Sequence, residues 1–150
     1  MAVKNQSGVE VITALICDVV RKEITGQDII IGVYSDEISV AQLPLSLVLT
    51  LYLRIRFKKT ESTKFDFRVM GESGIQITPD LNFEIPPPVT GHIMTVAMGP
   101  IPINIQALGK ITFDLKFTDA NWESATDIRF VKPANADLAK VNQPTVRPTA

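Results

Sequence analysis

The 150-residue chain contains one cysteine, one histidine and one tryptophan. The lone histidine, His92, excludes a two-histidine metal site, a histidine-rich zinc cluster and a second imidazole proton shuttle. The lone cysteine, Cys17, cannot form an intramolecular disulfide or by itself hold zinc, and it suits a reducing compartment. The longest apolar runs have the length of strands, so no membrane-spanning helix is expected. The opening MAVKNQSGVEV lacks the apolar stretch and small-residue cleavage pattern of a secretory signal, which makes the cytoplasm the expected location. There is neither a G-x-G-x-x-G nor a P-loop pattern, and no cofactor or metal is implied. A net charge of −1 gives no whole-chain reason to expect a nucleic-acid or polybasic membrane function.

What is present is alternation. In Leu45 to Lys59, LSLVLTLYLRIRFKK, the odd positions Leu45, Leu47, Leu49, Leu51, Leu53, Ile55 and Phe57 are all apolar. The even positions are Ser46, Val48, Thr50, Tyr52, Arg54, Arg56 and Lys58. A period of two puts one row of side chains in a core and the other toward water, which only an extended strand does. Buried completely, the odd row would contribute roughly 10–20 kcal/mol gross, at ~1.5–3 per side chain, before chain entropy is subtracted.

Other segments repeat the pattern. Val9 to Val20 is a β-branched run apolar on both alternations, in which Asp18 shares a face with Ala14, Ile16 and Val20. Gly26 sits where a hairpin turn favours positive φ, and Gly32 within Ile29–Tyr34 marks a bulge or a close backbone approach. Lys64–Met70 places Phe65, Phe67 and Val69 on one face and reads as the antiparallel partner of the Leu47–Lys58 strand. The triple proline Pro86–Pro88 stops ladder pairing and bridges two sheets or edges. In Gly109–Thr118, Ile111, Phe113, Leu115 and Phe117 alternate with polar residues, and Thr126–Lys132 closes the pattern. Many short strands without helical periods between them predict one all-β domain, an antiparallel two-sheet sandwich of immunoglobulin-like or C2-like architecture with little or no helix. A closed barrel is the alternative. The domain is expected to span residues 9–132, with residues 1–8 flexible and 133–150 an Ala/Pro-rich tail.

The opening hairpin ALICDVVRKEITGQDIIIGVYSD resembles that of an uncharacterised, mostly bacterial family of single-domain proteins. The positions that carry the likeness are Cys17, Asp18, Arg21, Glu23, Gly26, Ile31, Gly32, Val33 and Tyr34. The later LYLRIRF, FDFRV and GKITFDLKF segments resemble that family's middle and late strands. The resemblance implies a β-sandwich and no assigned activity.

Candidate sites are few. A Cys17–His92 nucleophile pair needs only spatial adjacency, but Cys17 lies within an apolar strand, where a thiol behaves as a small hydrophobe. Asp18, on an apolar row, needs a partner: the expected structural ones are an ion pair with Arg54, Arg56 or Arg68, or backbone N–H groups donating to its carboxylate, and the functional alternative is an acid that contacts a ligand. Asp36 with Glu37, and Asp119 with Glu123, are too sparse a set for calcium. Between Arg54 and Arg68, six cations face two acids, so this stretch carries +4 and the rest of the chain −5. With the two strands paired, Arg54, Arg56, Lys58, Lys64 and Arg68 would share one sheet face with Tyr52, Asp66 being neutralised across strands. Such a face is either a solvated surface that discourages edge aggregation or a docking site. An acidic protein suits it better than nucleic acid, because Tyr52 alone is there to stack on bases. Val48, Tyr52 and Trp122 are the apolar residues that an exposed face or turn could present to a partner, and self-association stays open. The sequence therefore favours a non-enzymatic protein-binding module, ahead of a small-ligand or anion binder using end loops, and of an enzyme built on Cys17 and His92.

Overall fold

The strand at Leu45–Phe57 has both of its edges taken by strands distant in sequence. In a computed structural model, which describes residues 3–6, 8–58, 62–87, 92–118 and 120–134, it is β5 of ten. Before it come β1 (Val3–Gln6), β2 (Val9–Lys22), β3 (Asp28–Val33) and β4 (Glu37–Ser39). After it come β6 (Thr63–Gly71), β7 (Leu81–Ile85), β8 (Ile93–Ile105), β9 (Gly109–Phe117) and β10 (Glu123–Val131). No helix occurs among the described residues.

The strands form two sheets that do not close into a barrel. The first has the order β1-β2-β5-β8, with β3 also on β2; the second has the order β4-β10-β9-β6-β7. All pairings are antiparallel except β4 with β10. Val9 faces Gln6 on one side and Phe57 on the other, while Cys17 faces Val33 and Thr50. Thus β1 and β3 occupy successive lengths of the same edge of β2. Within the N-terminal residues 1–8, Val3–Gln6 form β1. Of the expected tail, residues 135–150 lie outside the described set.

The core lies where the apolar rows of the two sheets meet. Leu49, Leu51, Leu53, Ile55 and Phe57 are completely or almost completely buried, whereas Leu45 and Leu47, at the start of the strand, are only half-buried. Opposite them stand Phe65, Phe67, Val69, Phe113, Leu115 and Phe117. Register puts Phe65 between Phe83 and Phe117, and its ring lies 5.3 and 5.7 Å from theirs, within the range of favourable aromatic pairs.

One expectation is overturned. The Lys64–Met70 strand does not pair with β5: the chain crosses to the other sheet after Phe57, and β6 pairs with β7 and β9. Because the core lies between the sheets, the polar rows of β5 and β6 point to opposite outer surfaces. Arg54, Arg56 and Lys58 are thereby separated from Lys64 and Arg68, and no common basic face forms. The physical reason is that β2 and β8 already satisfy both hydrogen-bonding edges of β5.

Candidate functional site

Two of the cations expected to make the basic face, Arg56 and Arg68, form ion pairs within their own sheets. On the first sheet, Arg56 stands opposite Glu10 and pairs with it at 3.1 Å. Tyr52 is only 6% exposed, so it offers no ring to a base. On the second sheet, Arg68 donates from Nε to the Asp114 carboxylate at 3.4 Å, and its guanidinium lies 4.1 Å from the centre of the Trp122 ring. Asp66 stands between Asn82 and Lys116, so charges of both signs alternate across that face. Arg54, Lys58 and Lys64 are exposed.

Cys17 and His92 are not brought together. Cys17 faces Thr50, and its Sγ points to the Thr50 carbonyl at 3.6 Å. His92 lies beside Phe57, whose N–H donates to the His92 carbonyl. Thr50 and Phe57 are seven residues apart on one strand, about 23 Å at 3.3 Å per residue. Cys17 has no solvent exposure, and burial, then the charge of Asp18, push its thiol above the ordinary range. Both effects disfavour the thiolate that nucleophilic attack requires. Among the described residues no cluster of three His, Cys, Asp or Glu side chains could hold a metal ion; Asp119 lies outside that set.

Asp18 has a partner other than the arginines expected. It is exposed, and its carboxylate accepts the Tyr34 hydroxyl at 2.5 Å. The β2–β3 register sets Cys17 opposite Val33, which places Gly32 across from Asp18. Gly32 adopts φ +67, and a Cβ there would lie 2.7 Å from the Asp18 carboxyl carbon. The glycine does mark a close approach, and the approaching group is a side chain. The Asp18 carbonyl also accepts the Thr50 hydroxyl at 3.1 Å, which ties the base of the hairpin to β5.

These contacts hold a hairpin that leaves the sheet. Beyond Cys17, β2 loses β5 and keeps only β3. Glu23 to Gln27 make the turn, with Gly26 at φ +83 as its sequence predicts. Had β2 run straight, Lys22, the partner of Asp28, would lie about 23 Å beyond Leu15. Tyr52 stands opposite Leu15, yet its hydroxyl reaches Asp28 at 3.4 Å. The hairpin therefore curves back toward the outer surface of the first sheet, and this cover accounts for the burial of Tyr52.

The hairpin carries a row that sequence reasoning missed. Val33, Ile31 and Val19, and Ile29 beyond them, fall on one alternation by register and are 53, 41, 38 and 41% exposed. Ile24 at the turn is fully exposed, and the second edge of β3 has no strand partner among the described residues. The run IIIGV reads locally as a buried strand. The available signal was that no helical segment existed to cover it.

The model of a family described as a family of unknown function (DUF6941) matches residues 12–142. No curated protein matches the chain.

Proposed function

The chain belongs to the family of unknown function DUF6941, and within it we propose a non-enzymatic protein-binding role whose working surface is the β2–β3 hairpin. The observation that carries this reading is the exposed row Val19, Ile29, Ile31 and Val33 beside a strand edge that has no strand partner among the described residues. Apolar surface of this kind, next to free backbone donors and acceptors, promotes association unless a partner covers it. The partner it fits is an extended protein segment that adds a strand to β3, with apolar side chains toward the isoleucines and an acidic one toward Arg21, which stands opposite Ile29.

The strand order supports treating the hairpin as an addition. The orders β2-β5-β8 and β10-β9-β6-β7 correspond to A-B-E and G-F-C-C′ of an immunoglobulin-like sandwich. That arrangement is complete without β3, so the exposed row is not needed to build the core. The buried, protonated Cys17 supports a non-catalytic role, and a single free thiol suits the cytoplasm.

The test is site-specific photo-crosslinking in producing cells, with a benzoylphenylalanine at position 31 and, as control, at Thr112 on the opposite sheet. Discrete crosslinked protein at position 31 alone, lost when Ile29→Lys is added, supports the reading. Equal crosslinking at both positions, or crosslinking indifferent to Ile29→Lys, refutes it.

A further inference from the structure

A second feature lies at one end of the sandwich, where the β6–β7 and β8–β9 connections enclose a cavity of about 540 Å³. Its size falls within the range of small-molecule sites. Ile75, Ile77, Ile105, Leu108 and Ile111 line it, and among the described residues no aromatic side chain does. Aliphatic walls receive an aliphatic body and offer nothing for a base or another flat ring to stack on. Two wall residues remain wet at the mouth, Ile75 at 67% and Leu108 at 36% exposure.

The cavity is held open by its own bonds. The Glu72 carboxylate accepts the Lys110 backbone N–H at 3.0 Å and packs against Gly109, which has φ +128 and no room for a Cβ beside that carboxylate. Across the opposite wall, Gly71 N–H donates to the Ile75 carbonyl at 2.7 Å and Ile77 N–H to that of Val69 at 2.8 Å. Among the described residues that line the space, the charged ones are Lys110 and Glu72. Glu72 is engaged with backbone, whereas the Lys110 ammonium makes no ion pair with a described carboxylate.

We infer that this cavity binds a medium-chain aliphatic carboxylate, its hydrocarbon over the isoleucines and its head group at Lys110. The site shares no lining residue with the hairpin and does not depend on the protein-binding role.

Isoleucine-δ1-methyl NMR of the full chain titrated with sodium octanoate tests it, with 1-octanol as the uncharged comparison. Saturable shifts are expected for Ile75, Ile77, Ile105 and Ile111, with a Kd of roughly 1 mM or tighter, while the Ile29 and Ile31 methyls stay in place. Lys110→Gln should weaken octanoate by at least about threefold and leave octanol unchanged. Leu108→Trp, a change at a partly exposed position that should keep the methyl spectrum dispersed, should abolish binding by filling the mouth. Absence of saturable shifts, shifts centred on Ile29 and Ile31, or an octanoate affinity indifferent to Lys110→Gln would each overturn the inference.

Discussion

Replacing Gly32 with alanine tests how the hairpin is anchored. The substitution meets two obstacles. An alanine at φ +67 costs about 1–2 kcal/mol in the left-handed region. Its Cβ also cannot coexist with the Asp18 carboxyl group in its present position, so that side chain must rotate away and release the Tyr34 hydroxyl. The lost hydrogen bond, exposed to water, adds about 1 kcal/mol. Gly32→Ala should therefore destabilise the hairpin by about 2–3 kcal/mol, and Asp18→Ala, which loses the hydrogen bond alone, by about 1. In the double variant the clash with the carboxyl group is gone, the remaining approach of the two Cβ atoms at 3.1 Å is relieved by a shift of about a few tenths of an ångström, and the hydrogen bond is already gone. Its cost should equal that of Gly32→Ala, giving a coupling of about 1 kcal/mol, well above the scatter of independent sites. Hydrogen exchange of the β3 amides reads the local free energy even where the sandwich stays folded. Additive costs in this cycle would show that Asp18, Gly32 and Tyr34 do not act as a unit, and the anchoring argument would fail.

Two further outcomes follow from neighbouring contacts. The hydrogen bond to Asp18, then burial, then the Asp18 charge hold the Tyr34 hydroxyl up to about 12, above its ordinary value near 10. A raised folded-state value means that the stabilisation is complete below pH ~10 and is lost as pH climbs to ~12, when the phenolate forms. After allowance for solvent screening this amounts to about 1 kcal/mol. Tyr34→Phe should remove that pH dependence, and the difference between the two proteins' phenolate absorbance titrations should centre near 12. On the opposite sheet, Arg68→Ala strips the guanidinium from Trp122 and leaves Asp114, whose side chain is only 12% exposed, without its partner. A loss of about 1–2 kcal/mol in urea unfolding is expected, together with red-shifted and more readily quenched emission from the single tryptophan. Unchanged emission would show that the cation does not cover the ring.

How much of this was legible in the sequence depended on whether a property is local. The odd row of β5 was readable because alternation fixes which side chains share a face regardless of neighbours. Gly26 and Gly32 were readable because a positive φ or a close approach leaves few alternatives to glycine. Pairing is another matter. β6 is the next strand in the chain and has the right alternation, yet nothing in LSLVLTLYLRIRF records that β2 and β8 occupy its two edges. Once the chain crosses to the second sheet, cations adjacent in sequence become residents of opposite surfaces, and the apparent +4 cluster is split between them, with Arg56 paired to Glu10 on one and Arg68 to Asp114 on the other.

The same limit explains the hairpin. Asp18 looked like a buried acid because Ala14 and Ile16 precede it on a core-facing row, and that row does continue inward through Ile16. The strand then leaves the sheet one residue before Asp18, so a carboxylate that would cost several kcal/mol inside the sandwich stands in solvent on the same alternation. Leaving the sheet also reverses the fortune of the apolar residues that follow. Tyr52, read as wet, becomes covered, and Ile29, Ile31 and Val33, whose composition suits an interior, become the exposed ones. Composition fixes how much apolar surface a segment carries; only the long-range path of the chain decides whether the protein or a partner covers it. In β3 no described residue covers that surface, and this is the physical ground for the proposal that protein contacts are made there rather than on the charged strands.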